Sequence, residues 1–338
     1  MKKAVLLVNL GTPESPSPKH IRKYLTEFLN DPFVIDLPWL IRKILVNLII
    51  IPFRVKKSTG LYQRLWTAEG SPILRHLEQL GSKLQKAVGD ETTVYVAMRY
   101  GKPSLKAALN EINKSGADEL HVVPLFPQYA SSTTGSIIHA VQKNKSRLQN
   151  VNNIHFTEQF YHNPGFINAF CERISFYQPA SFDHIIFSFH SLPVRHIENI
   201  HPGTSCDGCS CEDSLPPCGT MCYKATSYAT ARMISERLLI RSEDYTVAFQ
   251  SRFAKNWIGP FTEDIVIQSA LSGKSRVLVV APSFVADCLE TIVEIGQDYQ
   301  NLFKAHGGKE LVMAESLNVS ESWVEALMEI ISLKTPQI

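Results

Sequence analysis

Five cysteines lie between positions 206 and 222: Cys206, Cys209, Cys211, Cys218 and Cys222, spaced C-x2-C-x-C-x6-C-x3-C among Gly, Pro and Asp residues. Thiols this dense in a Pro/Gly-rich stretch are not packing residues, and a redox pair needs only two. Four-thiolate coordination of a metal is the natural reading, and spacing alone leaves zinc and an iron–sulfur cluster both open. A second candidate is the run Phe187-Ser188-Phe189-His190-Ser191-Leu192-Pro193, which sets a histidine just past an apolar stretch. Imidazole there suits proton transfer or metal binding near neutral pH, or it is a satisfied structural residue. A third is the segment from Pro282 to Ile295, holding Asp287, Glu290 and Glu294. Glu290 and Glu294 are spaced i, i+4, on one helix face. Like charges held together raise one pKa, which suits a group that takes up and releases protons. The alternative is a solvated acidic first turn favoured by the helix dipole.

Apolar, β-branched runs read as strands at Ala4–Leu10, Thr93–Tyr100, Leu120–Phe126, Ile154–Phe160, His184–Phe189, Thr246–Gln250, Arg276–Ala281 and Leu311–Glu315. Amphipathic stretches between them, such as Ile73–Val88, Leu105–Lys114, Gly165–Tyr177, Lys224–Leu239 and Glu290–Ala305, read as helices. Strands alternating with helices predict an α/β fold of parallel sheets flanked by helices. Eight strands divide near Val151 into two four-stranded, Rossmann-like lobes, 1–150 and 151–318, the second carrying a cysteine-rich insertion at 203–222. A last helix, Ser322–Leu333, lies within 319–338. No internal repeat is visible. Ligands of open parallel sheets bind outside the carboxyl ends of the strands. Polar residues gather at those ends: Asn9 and Thr12, Arg99 and Tyr100, Gln128 and Tyr129, His190 and Ser191, and Gln250 to Arg252. Two lobes whose loops face one another predict a cleft.

The 338 residues are 44% hydrophobic and 20% charged, an ordinary globular balance of a length suited to two domains. A net charge of +2, without basic runs interleaved with aromatics, gives no support to nucleic-acid binding. Ala4 to Leu10 reads as a strand ending in a Gly/Pro turn, not as a secretory leader, because no small-x-small cleavage site follows. The expected compartment is therefore the cytoplasm, where thiols stay reduced. The turn at Gly11-Thr12-Pro13-Glu14-Ser15-Pro16 lacks the G-x-G-x-x-G of a dinucleotide-binding oxidoreductase. The apolar stretch Leu37–Phe53 is interrupted by Arg42, Lys43 and Asn47, short of the ~20 residues of a membrane span. With Arg54, Lys56 and Lys57 after it, it reads as an interfacial helix or a buried core helix.

Over nearly its whole length the chain resembles the ferrochelatases. The resemblance rests on Val8-Asn9-Leu10-Gly11-Thr12-Pro13, Leu29-Asn30-Asp31-Pro32, Glu69-Gly70-Ser71-Pro72, Ala97-Met98-Arg99-Tyr100-Gly101 and Pro124-Leu125-Phe126-Pro127-Gln128-Tyr129, which leads to Ser132-Thr133-Thr134-Gly135-Ser136. The histidine segment, Phe249-Gln250-Ser251-Arg252-Phe253 with Trp257-Ile258-Gly259-Pro260, and Cys288-Leu289-Glu290-Thr291 complete it in the same order. It implies an enzyme that inserts Fe2+ into protoporphyrin IX to form haem, the terminal step of haem biosynthesis; the alternatives are coproporphyrin III as substrate, or a non-catalytic porphyrin or metal carrier. It implies that His190 is proton acceptor, metal ligand or both, that Glu290 pairs with it across the macrocycle, and that Glu294 extends an acidic path. Met98, Arg99, Tyr129, Trp257 and Ser191 fall among the implied porphyrin-binding residues. Cys288 stands where some relatives carry histidine.

Some ferrochelatases carry a [2Fe–2S] cluster, so the resemblance favours that cluster over structural zinc, on Cys206, Cys209, Cys211 and Cys218 with Cys222 as the substitute. The family also has an apolar lip associated with membranes where Leu37–Phe53 falls, which implies peripheral contact with the inner membrane through residues 37–57.

Overall fold

The computed structural model describes residues 2–200, 205–206, 209–215 and 219–332. Among them, eight strands form two four-stranded parallel sheets. The first holds β1 (Lys3–Thr12), β2 (Thr92–Gly101), β3 (Glu119–Pro124) and β4 (Asn153–Phe156) in the order β2-β1-β3-β4. The second holds β5 (His184–His190), β6 (Tyr245–Gln250), β7 (Arg276–Val280) and β8 (Glu310–Met313) in the order β6-β5-β7-β8. The two orders are the same, so a topology repeats where the sequence shows no repeat.

The central strands read as continuous apolar runs because helices cover both faces of such sheets. Ala4, Leu6 and Val8 of β1 pack with Leu105, Leu109 and Ile112 of the helix Leu105–Ser115. Ile186, Val277 and Val279 pack with Val266, Ile295 and Phe303 in the second sheet. At the end of β1, Gly11 has φ +138°, and a Cβ there would lie 2.1 Å from the Tyr100 carbonyl oxygen on β2. Only glycine lets the two strand ends run so close. In each sheet the chain steps to one side of its first strand and then returns to the other. The reversal falls between β1 and β3 and between β5 and β7. In the second sheet, His190 ends β5 and the acidic segment follows β7, so both sit where ligands of open parallel sheets bind.

The chain divides into two compact units. One comprises residues up to Phe126, 131–159 and those from Leu327 on; the other comprises 127–130 and Phe160–Ala326. The dividing line expected near Val151 falls after Gln159, because β4 pairs with β3 and carries its residues into the first sheet. The last helix, Glu321–Ser332, is shared out between Ala326 and Leu327. Among the described residues three stretches are π-helical: Leu45–Ile50, Ser131–Gly135 and Glu290–Tyr299. Such helices are rare and concentrate at functional sites.

Candidate active site and cysteine segment

His190 is half-buried at the carboxyl end of β5, its Nδ1 2.6 Å from the Ser191 carbonyl oxygen. A carbonyl only accepts, so Nδ1 carries the hydrogen and Nε2 presents a lone pair. The ring is flanked by Trp257 and Phe284, with centroids at 6.3 and 6.4 Å. Trp257 is brought there by a second layer of bonds. Ser191 Oγ donates to the Ile258 carbonyl at 2.7 Å, the Ile258 amide donates to Leu192 O at 2.9 Å, and Pro193 bridges Trp257. Ser191 is fully buried and its hydroxyl is committed to that loop. It therefore positions Trp257 and does not meet the expectation of a substrate contact.

Glu290 and Glu294 lie on the π-helix Glu290–Tyr299, not on the α-helix the spacing predicts. The register matters because a π-helix aligns residues five apart, whereas an α-helix sets them roughly 140° apart. Tyr299, five residues beyond Glu294, accordingly donates to Glu294 Oε1 at 2.8 Å. Ser251 adds its main-chain N–H at 3.0 Å, and its hydroxyl donates to Oε2. Ser251 makes both contacts from φ +60°, an uncommon conformation for a non-glycine residue, just past β6. Burial raises the Glu294 carboxyl above its ordinary range, and the Glu290 charge adds to this; the bonds from Ser251 and Tyr299 and the charge of His190 pull the other way. The charges of Glu290 and His190 thus both bear on the Glu294 carboxyl.

The folded protein holds the Glu294 proton to higher pH than the unfolded chain does. Its contribution to stability is full below the unfolded value and is lost as pH rises through the folded one. Glu294→Gln preserves the shape and removes the titration. The variant's unfolding free energy should fall less steeply than the wild type's between about pH 5 and 8, measured by urea titration at each pH. Parallel profiles would disprove the assignment.

The helix begins on a pinned carboxylate. Asp287, 8% exposed, accepts from Thr291 Oγ1 at 3.0 Å, Ser316 N at 3.2 Å and Asn318 Nδ2 at 2.7 Å. Cys288 is fully buried, and burial, with Glu290 beside it, drives its thiol well above the ordinary range.

Two residues implied as porphyrin contacts in the first unit have other employment. Met98 is fully buried on β2, its amide donating to Pro103 O at 2.7 Å, so it offers no surface to a ligand. Arg99 is ion-paired through its guanidinium with buried Asp31 and donates to Ser136 Oγ at 2.8 Å. Tyr100 and Ser136 also donate to Asp31 Oδ2, each at 2.8 Å. Arg99 is the counter-ion of a buried carboxylate, not a free cation awaiting one. Tyr129 and Trp257 are both partly exposed. The motif residues Thr12 and Ser71, whose hydroxyls are 2.8 Å apart, line a cavity of about 340 Å³ with Glu14, Trp66, Arg75 and Lys102.

In the cysteine segment, Cys206, Cys211 and Cys222 are buried and Cys209 is partly exposed; none of the described cysteines is in a disulfide. Cys218 lies outside the described residues. The Cys211 thiol is raised by burial first, then by bonds with the Cys209 and Cys222 sulfurs. Cys209 Sγ donates to the Cys206 carbonyl at 3.0 Å. Among the described residues no group of three or more His, Cys, Asp or Glu is disposed to hold a metal ion.

The stretch after Leu37 forms the helix Trp39–Ile44, the π-helix Leu45–Ile50 and the helix Ile51–Leu65. It is not a core helix. Trp39 (65%), Leu48 (69%) and Phe53 (81%) are exposed, as are Leu40, Ile41, Ile44 and Ile49, with Arg54, Lys56 and Lys57 exposed alongside. Among the described residues no helix is long and apolar enough to cross a membrane.

A family model described as Ferrochelatase matches residues 2–335. A curated protein named Ferrochelatase from Coxiella burnetii (strain CbuG_Q212) is 39% identical over 335 residues, covering 96% of this chain and 92% of its own. One of the same name from Legionella pneumophila (strain Lens) is 38% identical over 339 residues, covering 98% and 99%. Among solved structures, SirB from Bacillus subtilis with Fe3+ matches with TM-score 0.55 at 13% identity, covering 98% of this chain and 96% of that one. The sirohydrochlorin chelatase SirB from Bacillus subtilis subspecies spizizenii in complex with cobalt matches at 0.53 and 13%, covering 98% and 94%. At that identity the likeness shows the fold.

Proposed function

Because the chain belongs to the ferrochelatase family, and so is a lyase that sets a metal ion into a porphyrin in haem biosynthesis, we propose that it inserts Fe2+ into protoporphyrin IX with His190 as the residue that accepts the pyrrole protons. The observation that carries this reading is His190 at the carboxyl end of β5, its Nδ1 donating to the Ser191 carbonyl so that Nε2 is left for the substrate. Two pyrrole N–H protons must leave before a metal ion occupies the macrocycle. Bending the ring to expose its lone pairs costs roughly 1–5 kcal/mol, supplied by binding elsewhere on the substrate. Trp257 and Phe284 beside His190 offer flat apolar surface for that binding, with Tyr129 a further contact. Glu294, its carboxyl raised above the ordinary range by burial, relays protons or metal along the π-helix from Glu290. The test is anaerobic metal insertion followed by absorbance, with protoporphyrin IX and coproporphyrin III offered separately. Conversion of protoporphyrin supports the proposal; conversion of coproporphyrin alone reassigns the substrate. Tight porphyrin binding without conversion would make the protein a carrier.

The choice of protoporphyrin is supported by the exposed apolar face at Trp39–Phe53, which suits delivery of a poorly soluble porphyrin from a membrane interface. With Arg54, Lys56 and Lys57 facing anionic head groups, this face lies on a bilayer without crossing it. Flotation with anionic vesicles should recover the wild-type protein in the lipid fraction. A Trp39→Ser, Leu48→Ser, Phe53→Ser variant should stay in the aqueous one, and equal flotation would remove the membrane from the account.

The cysteine spacing supports a [2Fe–2S] cluster on four of Cys206, Cys209, Cys211, Cys218 and Cys222, although the described thiols are not disposed to hold a metal ion. Such a group supplies a one-electron centre, and chelation itself moves no electrons, so it serves stability or sensing. Purified protein should be reddish-brown and bleached by dithionite. Colourless protein with stoichiometric zinc would establish the structural-zinc alternative.

A further inference from the structure

We propose that Gln250 is a positioning residue for metal insertion: locked by a buried relay of hydroxyls from Thr262 and Ser188, it fixes the end of β6 from which Ser251 holds Glu294. The proposal rests on the reading that Glu294 takes part in the reaction. Ser251 bonds the Glu294 carboxylate through its main-chain N–H at 3.0 Å and through its hydroxyl, from φ +60°. A non-glycine residue in that conformation is strained, and it persists only where its surroundings over-determine it. Ser251 directly follows Gln250, the last residue of β6. The ladder to β5 runs out at Gln250, whose carbonyl oxygen accepts from Ser191 N at 2.8 Å.

Side chains supply the further hold. Gln250, Ser188 and Thr262 are all buried, and all lie in the second unit with Ser251 and Glu294. Ser188 Oγ, on β5, donates to Gln250 Oε1 at 2.5 Å. That commits its one hydrogen, so the Thr262 hydroxyl, 2.8 Å away at the start of the helix Thr262–Leu271, donates to Ser188 Oγ. The relay runs from Thr262 to Ser188 to Gln250 and ties the strand end to the neighbouring strand and to the following helix. Stability does not account for the choice of glutamine. Its Nε2 is buried and meets no hydrogen-bond partner among the described residues, an unfavourable state that a methionine of similar shape would avoid. Half-satisfied polar groups in an interior mark places where function overrides local rules. What the amide provides is a cross-strand anchor one residue before the strained serine.

The test is steady-state metal insertion by the full-length protein, with whichever porphyrin it converts. Gln250→Met and Thr262→Val should each lower kcat about tenfold, because a small misplacement of a reacting group is enough. KM for porphyrin should stay within about twofold of wild type. Thr262→Ser keeps the relay's hydroxyl and should retain wild-type turnover. In a Ser251→Ala background, Gln250→Met should cost only about twofold, since the hydroxyl it positions is gone. An equal tenfold loss in both backgrounds would overturn the route through Ser251. Wild-type kcat in Gln250→Met and Thr262→Val, or equal losses in Thr262→Val and Thr262→Ser, would overturn the relay. If urea midpoints show that Gln250→Met does not fold, the comparison of Thr262→Val with Thr262→Ser decides alone. Wild-type turnover in Glu294→Ala would instead sink the reading of Glu294, and this proposal with it.

Discussion

His190→Ala is expected to lower metal insertion by on the order of 10³-fold while leaving porphyrin affinity within a few-fold of wild type. A positioned general base contributes roughly 10²–10⁴ in rate, and a side chain that also contacts the incoming metal falls at the upper part of that range. Porphyrin affinity survives because the surfaces proposed to hold the macrocycle, Trp257 and Phe284, are anchored by other means, Trp257 through Ser191 and the bonds between Ile258 and Leu192. Fluorescence quenching on porphyrin binding and anaerobic initial rates separate the two effects. Near wild-type turnover in His190→Ala would transfer the role to another group, Glu290 being the first to test.

Asp287→Ala is expected to cost on the order of 3–5 kcal/mol of stability and to abolish turnover in whatever protein remains folded. The carboxylate accepts from three groups that are themselves inaccessible: the Thr291 hydroxyl, the Ser316 amide and the Asn318 amide side chain. Each donor left unpaired in the interior costs about 1–3 kcal/mol, with partial relief where one finds another acceptor. The loss bears on function because Thr291 lies one residue past Glu290, and Asn318, held at φ +49°, also accepts from the Asp287 amide at 2.8 Å. The start of the π-helix is thereby anchored. Urea midpoints measured alongside Glu290→Gln distinguish the roles, since the latter should lose activity at nearly unchanged stability. An Asp287→Ala protein as stable as wild type would show that the three donors repair themselves.

The strands of both units were legible because β-branched runs buried on both faces have few other readings, and all eight predicted strands overlap the observed ones. The site was legible only in part. His190 is set at a strand end by pattern, and Glu290 and Glu294 by spacing. What holds them was not visible: Ser251 reaches Glu294 from 43 residues away through a left-handed conformation that sequence does not announce in a serine. The Glu294–Tyr299 contact depends on a helical register that composition does not distinguish from the α-form. Arg99 was implied as a porphyrin contact, and its ion pair with Asp31 was not visible because the two lie 68 residues apart in the chain. Met98, implied beside it, is fully buried on β2. The motifs Asn30-Asp31-Pro32 and Ser132–Ser136 contained the missing information, since Asp31 and Ser136 meet at Arg99.

The π-helix Glu290–Tyr299 also has a history to tell. A stretch of this length confers no folding advantage over the α-helix that the same residues could form, and losing a residue would let it revert. Reversion would carry Tyr299 away from Glu294 and free the carboxylate to swing. A deletion there should therefore cost activity even where it leaves the fold as stable. In this part of the chain, insertions and deletions should be rarer among functional descendants than substitutions at its apolar positions, a signature readable from genomes without any enzyme being purified.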